Sequence, residues 1–154
     1  PGGPLGARGV PRHPLAGRRQ VDVADLAGAV AWMPGNTPGT EWTAWFDDLA
    51  TEFGLHIETH SPNFGIEHLL DEVAATPGAL TFAGEGVRVP WHPEIARIPA
   101  APPVPVYPHS LLWRRDNRHP QLVALVAHLR AGYRPPSRAG YWLPPAEHHL
   151  FADA

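Results

Sequence analysis

Apolar and polar positions along this chain change period from block to block, and the changes mark out strands and helices. Ala29 to Met33 is a short apolar run of buried-strand type, ended by the breaker cluster Pro34-Gly35-Asn36-Thr37-Pro38-Gly39. Thr40 is placed to cap a helix, and behind it Trp42, Trp45, Phe46, Leu49 and Phe53 fall on one helical stripe that Gly54 ends. Leu55 to Thr59 predicts a second strand, and Ser61-Pro62-Asn63 breaks it. Asn63 is placed to cap a second helix with inner face Phe64, Ile66, Leu69, Leu70 and Val73, stopped by Thr76-Pro77-Gly78. Ala79 to Ala83 predicts a third strand, leading into Gly84-Glu85-Gly86.

Outside this alternating middle the pattern is weaker. Val21 to Leu26 reads as a turn or short helix, and residues 1–20 have no periodic apolar pattern. Ile95 to Pro99 and Val104 to Trp113 are strand-like, the second interrupted by Pro105 and Pro108, which suit an edge. A last helix is predicted from Pro120, with Leu122, Leu125, Val126 and Leu129 on one face and Gly132 past its end. Residues 132–154 read as a flexible tail. Strand, turn, helix repeated in this order implies parallel strands joined by right-handed crossovers, an α/β fold.

Composition narrows the function classes. The length of 154 residues favours one domain, and 20 prolines with 15 glycines predict uneven order. All 12 cationic side chains are arginine, and the formal charge of −3 offers no basic face for phosphate neutralisation. Direct nucleic-acid binding by this chain is not expected. Zero cysteines exclude disulfides and thiolate chemistry. No apolar run reaches the ~18 residues of a membrane span, and no signal-peptide core is visible, so a cytoplasmic protein is expected, without membrane attachment.

In an open α/β sheet, ligands bind outside the carboxyl ends of the strands, beside helix N-termini with unpaired N–H groups. Two corners of this kind occur, Asn36-Thr37-Pro38-Gly39-Thr40 and His60-Ser61-Pro62-Asn63, and ordinary helix capping is the competing explanation of both. His56, Glu58 and His60 alternate and would share one strand face; two histidines can share zinc, but a third strong ligand is missing. Ser61, Ser110 and Ser137 lack a nucleophile-elbow context, and no phosphate loop is present. Arg114 to His119 reads as a solvated turn with local ion pairs. Catalysis therefore has no positive sign, and no cofactor is expected. Trp42 and Trp45 share the apolar stripe and read as core, whereas Trp32, Trp91, Trp113 and Trp142 suit core or a stacking platform equally.

Several strings resemble the effector-binding domain of LysR-type transcriptional regulators. His13-Pro14-Leu15-Ala16 followed by Val21-Asp22-Val23-Ala24-Asp25-Leu26 is similar to the passage where that family's chain leaves its first lobe. Thr37-Pro38-Gly39-Thr40 with the helix behind it, and Asn63 to Gly78 ending in LLDEVAATPG, resemble elements of the second lobe. Tyr107 to Asp116 with His119-Pro120 to Leu129 looks like the return strand and terminal helix.

The resemblance implies an α/β lobe of the type II periplasmic-binding-protein kind. It places the lead-in at 1–11, the effector-binding domain at 12–131 (second lobe about 21–106, return about 107–131) and the tail at 132–154. The family's helix-turn-helix and the opening half of its first lobe have no counterpart here. The implied partners are a small polar or carboxylate effector and further copies of the chain, as homodimer or tetramer. The implied ligand contacts are Thr37, Gly39, Thr40, Ser61, Asn63, Phe64 and Gly84. A stand-alone small-molecule-binding protein of the same half-fold, and a metal-dependent enzyme built on His56, Glu58 and His60, are the rival readings. The apolar faces of 109–113 and 120–131 are expected to lack part of their packing partner.

Overall fold

A computed structural model describes residues 13–59 and 64–151. The chain forms two compact units, meeting in sequence between Ala101 and Pro102, where the length alone favoured one domain. The expected lead-in, 1–11, lies outside the described residues.

In the first unit, β1 (Val30–Trp32) is flanked by β2 (His56–Glu58) and β3 (Ala79–Leu80) in a parallel sheet of order β2-β1-β3. The register sets Val30 opposite both His56 and Ala79. The mixed α/β class with parallel strands is as the alternation implied. The chain leaves β1 through α1 (Glu41–Phe53), reaches β2, then crosses back over β1 through α2 (Ile66–Ala75) to β3. With right-handed crossovers, that reversal puts the two helices on opposite faces. Packing agrees: Trp32 lies against Leu69, Val73 and Ala79 on the α2 side, together with Ile95. Alternation along β1 then turns the buried Ala31 and Met33 the other way.

Helix α1 forms where its stripe predicts. Thr40 caps it, and Gly54, left-handed at φ 69°, ends it by donating its N–H to the Ala50 carbonyl. Phe46 and Leu49 are buried; Trp42 and Trp45 are half-buried, their rings edge-on to Phe46 at 4.8 and 4.9 Å. Helix α2 differs from expectation at its start. The cap position falls on Gly65, at φ 102° and with no side-chain bond, and not on Asn63. Its inner face is correspondingly shorter, Leu69, Leu70 and Val73, while Phe64 is 70% exposed and Ile66 is exposed. A 3₁₀ turn at Val23–Leu26, capped by Asp22, adds Val23 and Leu26 to the core. The unit closes where Val21 bridges Ala100, with Ala101 N donating to the Val21 carbonyl at 2.7 Å. The strand expected at Ile95 to Pro99 does not form; only this bridge does.

In the second unit, β4 (Val104–Pro105) pairs in parallel with β5 (Tyr141–Trp142), with α3 (Pro120–Gly132) between them in sequence. The strand expected across Val104 to Trp113 shrinks to two residues, Val104 and Pro105, and Pro108, which has no N–H to give a ladder, lies beyond its end. Helix α3 starts and stops close to prediction, but its expected inner face is not buried: Leu122 and Val126 are half-buried, and Leu125 and Leu129 are exposed. The segment expected to be a flexible tail instead contains β5, a 3₁₀ helix at Pro145–Leu150, and the buried Leu143 and Phe151. No helix among the described residues is long and apolar enough to cross a membrane.

Candidate functional site

The three strands of the first sheet run in parallel, so the loops that follow them share one edge. Two hydroxyls tie that edge together. Thr81, just past β3, donates to the Trp32 carbonyl at the end of β1 at 2.8 Å, and Thr59, just past β2, donates to the Asn36 carbonyl at 3.0 Å. Met33 N adds a bond to the Glu58 carbonyl at 2.9 Å. The loop after β1 is thereby held from both neighbouring strands.

Asn36, on this loop, is the one buried polar side chain among the described residues. It is 5% exposed, and its side-chain oxygen has no hydrogen-bond partner. A buried amide oxygen left unpaired costs roughly 1–3 kcal/mol, so it needs a reason. Between β1 and β3 the strand order reverses, the place where open α/β sheets commonly bind ligands, and Asn36 lies on the loop after β1 with its carbonyl held from the β2 side by Thr59.

The expected ligand contacts fall unequally around this edge. Thr37 and Thr40 are exposed, and their polar groups are largely committed to one another. Thr40 Oγ1 donates to the Thr37 carbonyl at 2.8 Å and accepts from Thr43 N at 3.2 Å, while Thr43 Oγ1 donates to the same carbonyl. The corner is a completed helix cap. Gly39 sits in it at φ 83°, a conformation that suits glycine. Ser61, Asn63 and His60 lie outside the described residues. Phe64 stands exposed at the start of α2, its ring edge-on to His68 at 5.1 Å. Gly84 follows β3, and its carbonyl accepts from Arg97 Nη2 at 3.2 Å; the same guanidinium reaches the Glu85 carbonyl at 3.3 Å and so holds the 84–87 turn. Asn36 itself belongs to the corner the sequence marked, but its burial depends on Thr59, 23 residues away, and no local pattern signals that.

The remaining candidates separate cleanly. His56 and Glu58 share the exposed face of β2, as alternation requires, and no group of three or more potential ligands able to hold a metal ion occurs among the described residues. Arg114 and Asp116 form a bidentate pair at 3.0 and 2.7 Å in an exposed turn, the solvated arrangement the sequence suggested. Trp91 and Trp113 are exposed, Trp32 is core and Trp142 lines a cleft in the second unit.

No family model, curated protein or solved structure matches this chain.

Proposed function

We propose that residues 13–101 form a lobe that takes a small polar or carboxylate ligand at the carboxyl edge of its sheet, and that the chain serves as the effector-binding module of a LysR-family transcriptional regulator. The observation that carries the binding reading is Asn36, whose side-chain oxygen is buried and unpaired on the loop that follows β1 at the carboxyl edge of the sheet. A ligand carrying a hydroxyl, amide or ammonium group, bound there with a small shift of the loop, would give that oxygen a donor and remove its cost; a carboxylate on the same ligand only accepts and needs a separate donor. The loops bearing Thr37, Gly39, Thr40, Phe64 and Gly84 leave the same edge. The regulatory part of the reading is supported by the strings at 13–26, 37–40, 63–78 and 107–129 and by the strand-helix alternation between them. In such a regulator the ligand acts by favouring one arrangement of the lobes over another, a shift of populations and not a chemical step.

Thermal unfolding of the chain against a panel of small hydroxy acids, amino acids and amides, with simple carboxylates that carry no donor as controls, tests the binding. A ligand that binds only the folded state stabilises it by about 2.7 kcal/mol at a hundredfold excess over its Kd. A raised midpoint that Asn36→Ala abolishes is the expected result; a folded protein that no ligand shifts overturns the reading. Because these residues are not expected to bind DNA themselves, the regulatory part is tested by chromatin immunoprecipitation of the tagged protein from its own cells under cross-linking that also captures promoter contacts made through a DNA-binding partner. Ligand-dependent enrichment at promoter DNA is expected, and a thermal shift without enrichment selects a stand-alone binding protein.

A further inference from the structure

The second unit contains a cleft of about 140 Å³ that no part of the proposal above uses. Its walls are Pro103, Tyr141, Trp142 and Leu143, its far side is Phe151, and its polar groups come from Arg138 and His148. Pairing of β4 with β5 builds it, since Val104 stands opposite Tyr141 and Pro105 opposite Trp142. The turn that presents Arg138 is fixed by Gly140 N and Tyr141 N, both donating to the Ser137 carbonyl, at 3.1 and 3.0 Å.

The guanidinium of Arg138 lies over the Phe151 ring, 4.7 Å from its centroid. Stacking on a ring holds the guanidinium plane while its N–H edge stays available. One nitrogen, Nη1, meets His148 Nδ1 at 3.4 Å, and His148 Nε2 meets the Leu143 carbonyl at 3.1 Å. Those two contacts seat the His148 ring between the Leu143 carbonyl and the Arg138 guanidinium, beside which it packs. Among the described residues no Asp or Glu lines the cleft, and Arg138 has no ion pair.

A cation with no counter-ion among the described residues, set at the rim of an apolar slot, is complementary to a carboxylate carried on a flat apolar body. Size limits that body to one ring, because a cavity of ~150 Å³ accommodates benzene. We propose that the cleft around Arg138, Trp142, His148 and Phe151 is a second ligand site, specific for a small carboxylate borne on a single aromatic ring. The carboxylate takes the N–H edge of Arg138, and the ring lies in the slot lined by Pro103, Tyr141, Trp142 and Leu143.

The test is a titration of the ¹⁵N-labelled chain with benzoate, following the indole N–H of Trp142, assigned by comparison with Trp142→Phe. Saturable movement of that resonance is expected with benzoate and not with benzamide, which keeps the shape and lacks the charge, or with inorganic phosphate, which keeps the charge and lacks the ring. Arg138→Gln should weaken benzoate about tenfold or more, the usual effect of losing a hydrogen bond to a charged group. Should that variant not fold, Arg138→Lys keeps charge and stem but not the planar fork, and it too should bind several-fold more weakly. Asn36→Ala should leave the titration unchanged, which separates this site from the one on the first unit. Absence of saturation, equal response to phosphate or benzamide, or undiminished binding by the Arg138 variants would overturn the proposal.

Discussion

Helices α1 and α3 each span 13 residues, yet they are used in opposite ways. Both have an N-cap side chain and a strong apolar content. In α1, Phe46 and Leu49 are buried, and Trp42, Trp45 and Phe53 are half-buried around them. In α3 no residue is buried, and Val123, Leu125 and Leu129 are exposed. The difference lies partly in sequence. Polar residues interrupt α1 cleanly on one side, whereas α3 has alanines at 124, 127 and 131 between its larger apolar residues, so its apolar surface is spread around the axis. It lies also in what surrounds each helix. Between α1 and its neighbours the chain provides a strand on either side in sequence; the second unit spends its few buried side chains, Leu143 and Phe151, on joining β5 to the 3₁₀ helix. Periodicity makes a helix, but burial requires a facing surface.

The largest expected effect is the one that contrasts these two helices directly. Leu49→Ala, at a position with no exposure, should destabilise the first unit by about 2–5 kcal/mol, the range for a buried leucine leaving a cavity. Leu125→Ala, nearly half exposed, should cost within about 0.5 kcal/mol. Amide hydrogen exchange read separately on α1 and α3 checks both. Comparable losses in the two variants would mean that α3 is covered in solution, by another copy or another protein, and the contrast would fail.

The same contrast explains which features the sequence discloses. Element type in the first unit is legible because each helix buries a stripe and each strand sits beside a turn of Gly, Pro, Asn or Thr; Thr40 and Gly54 bound α1 as their chemistry requires. The start of α2 falls later than the polar turn residues suggest because Gly65, at φ 102°, makes the turn into the helix without a side-chain cap. In the second unit the ordering contacts are long-range. Two-residue strands, 104–105 with 141–142, have no period to detect, and proline content reads as looseness although Pro144 is buried. The candidate sites follow the same rule. The corner at 36–40 is visible as turn chemistry, but which of its groups is buried and unpaired depends on hydroxyls from β2 and β3. Arg138 and His148, ten residues apart in a proline-rich stretch, give no local sign that they meet.

Glycine substitutions sharpen the comparison because they are expected to differ in sign. Gly54 ends α1 at φ 69°, where a side chain is strained whatever space surrounds it. Gly54→Ala should therefore destabilise by about 1–2 kcal/mol. Gly132 lies in the last turn of α3, has no neighbour within 4 Å of an added Cβ and does not adopt a positive φ. Gly132→Ala should stabilise the helix by up to about 1 kcal/mol through the gain in helix propensity. Urea denaturation followed by helical circular dichroism gives both values. A loss at Gly132 would show that the α3 terminus has a conformation other than the helical one.

The smallest expected difference is between the caps. Thr40 accepts from Thr43 N and donates to the Thr37 carbonyl, so Thr40→Ala leaves one amide unsatisfied and frees the loop that carries Asn36. The expected cost is about 1 kcal/mol, with faster exchange of the Thr43 amide. At α3, His119 Nδ1 accepts from Gln121 N at 3.3 Å, but Pro120 occupies the first turn and has no N–H to satisfy. That helix end is exposed to water, so His119→Ala should cost within about 0.5 kcal/mol. The two caps also differ in what lies behind them. Loosening the Thr40 corner acts on the loop that carries Asn36, so Thr40→Ala should weaken any ligand whose binding depends on Asn36, whereas His119→Ala should leave that ligand unaffected. If Thr40→Ala lowers stability by the capping amount and leaves ligand affinity unchanged, the corner is a helix cap alone and the loop position of Asn36 is set by Thr59.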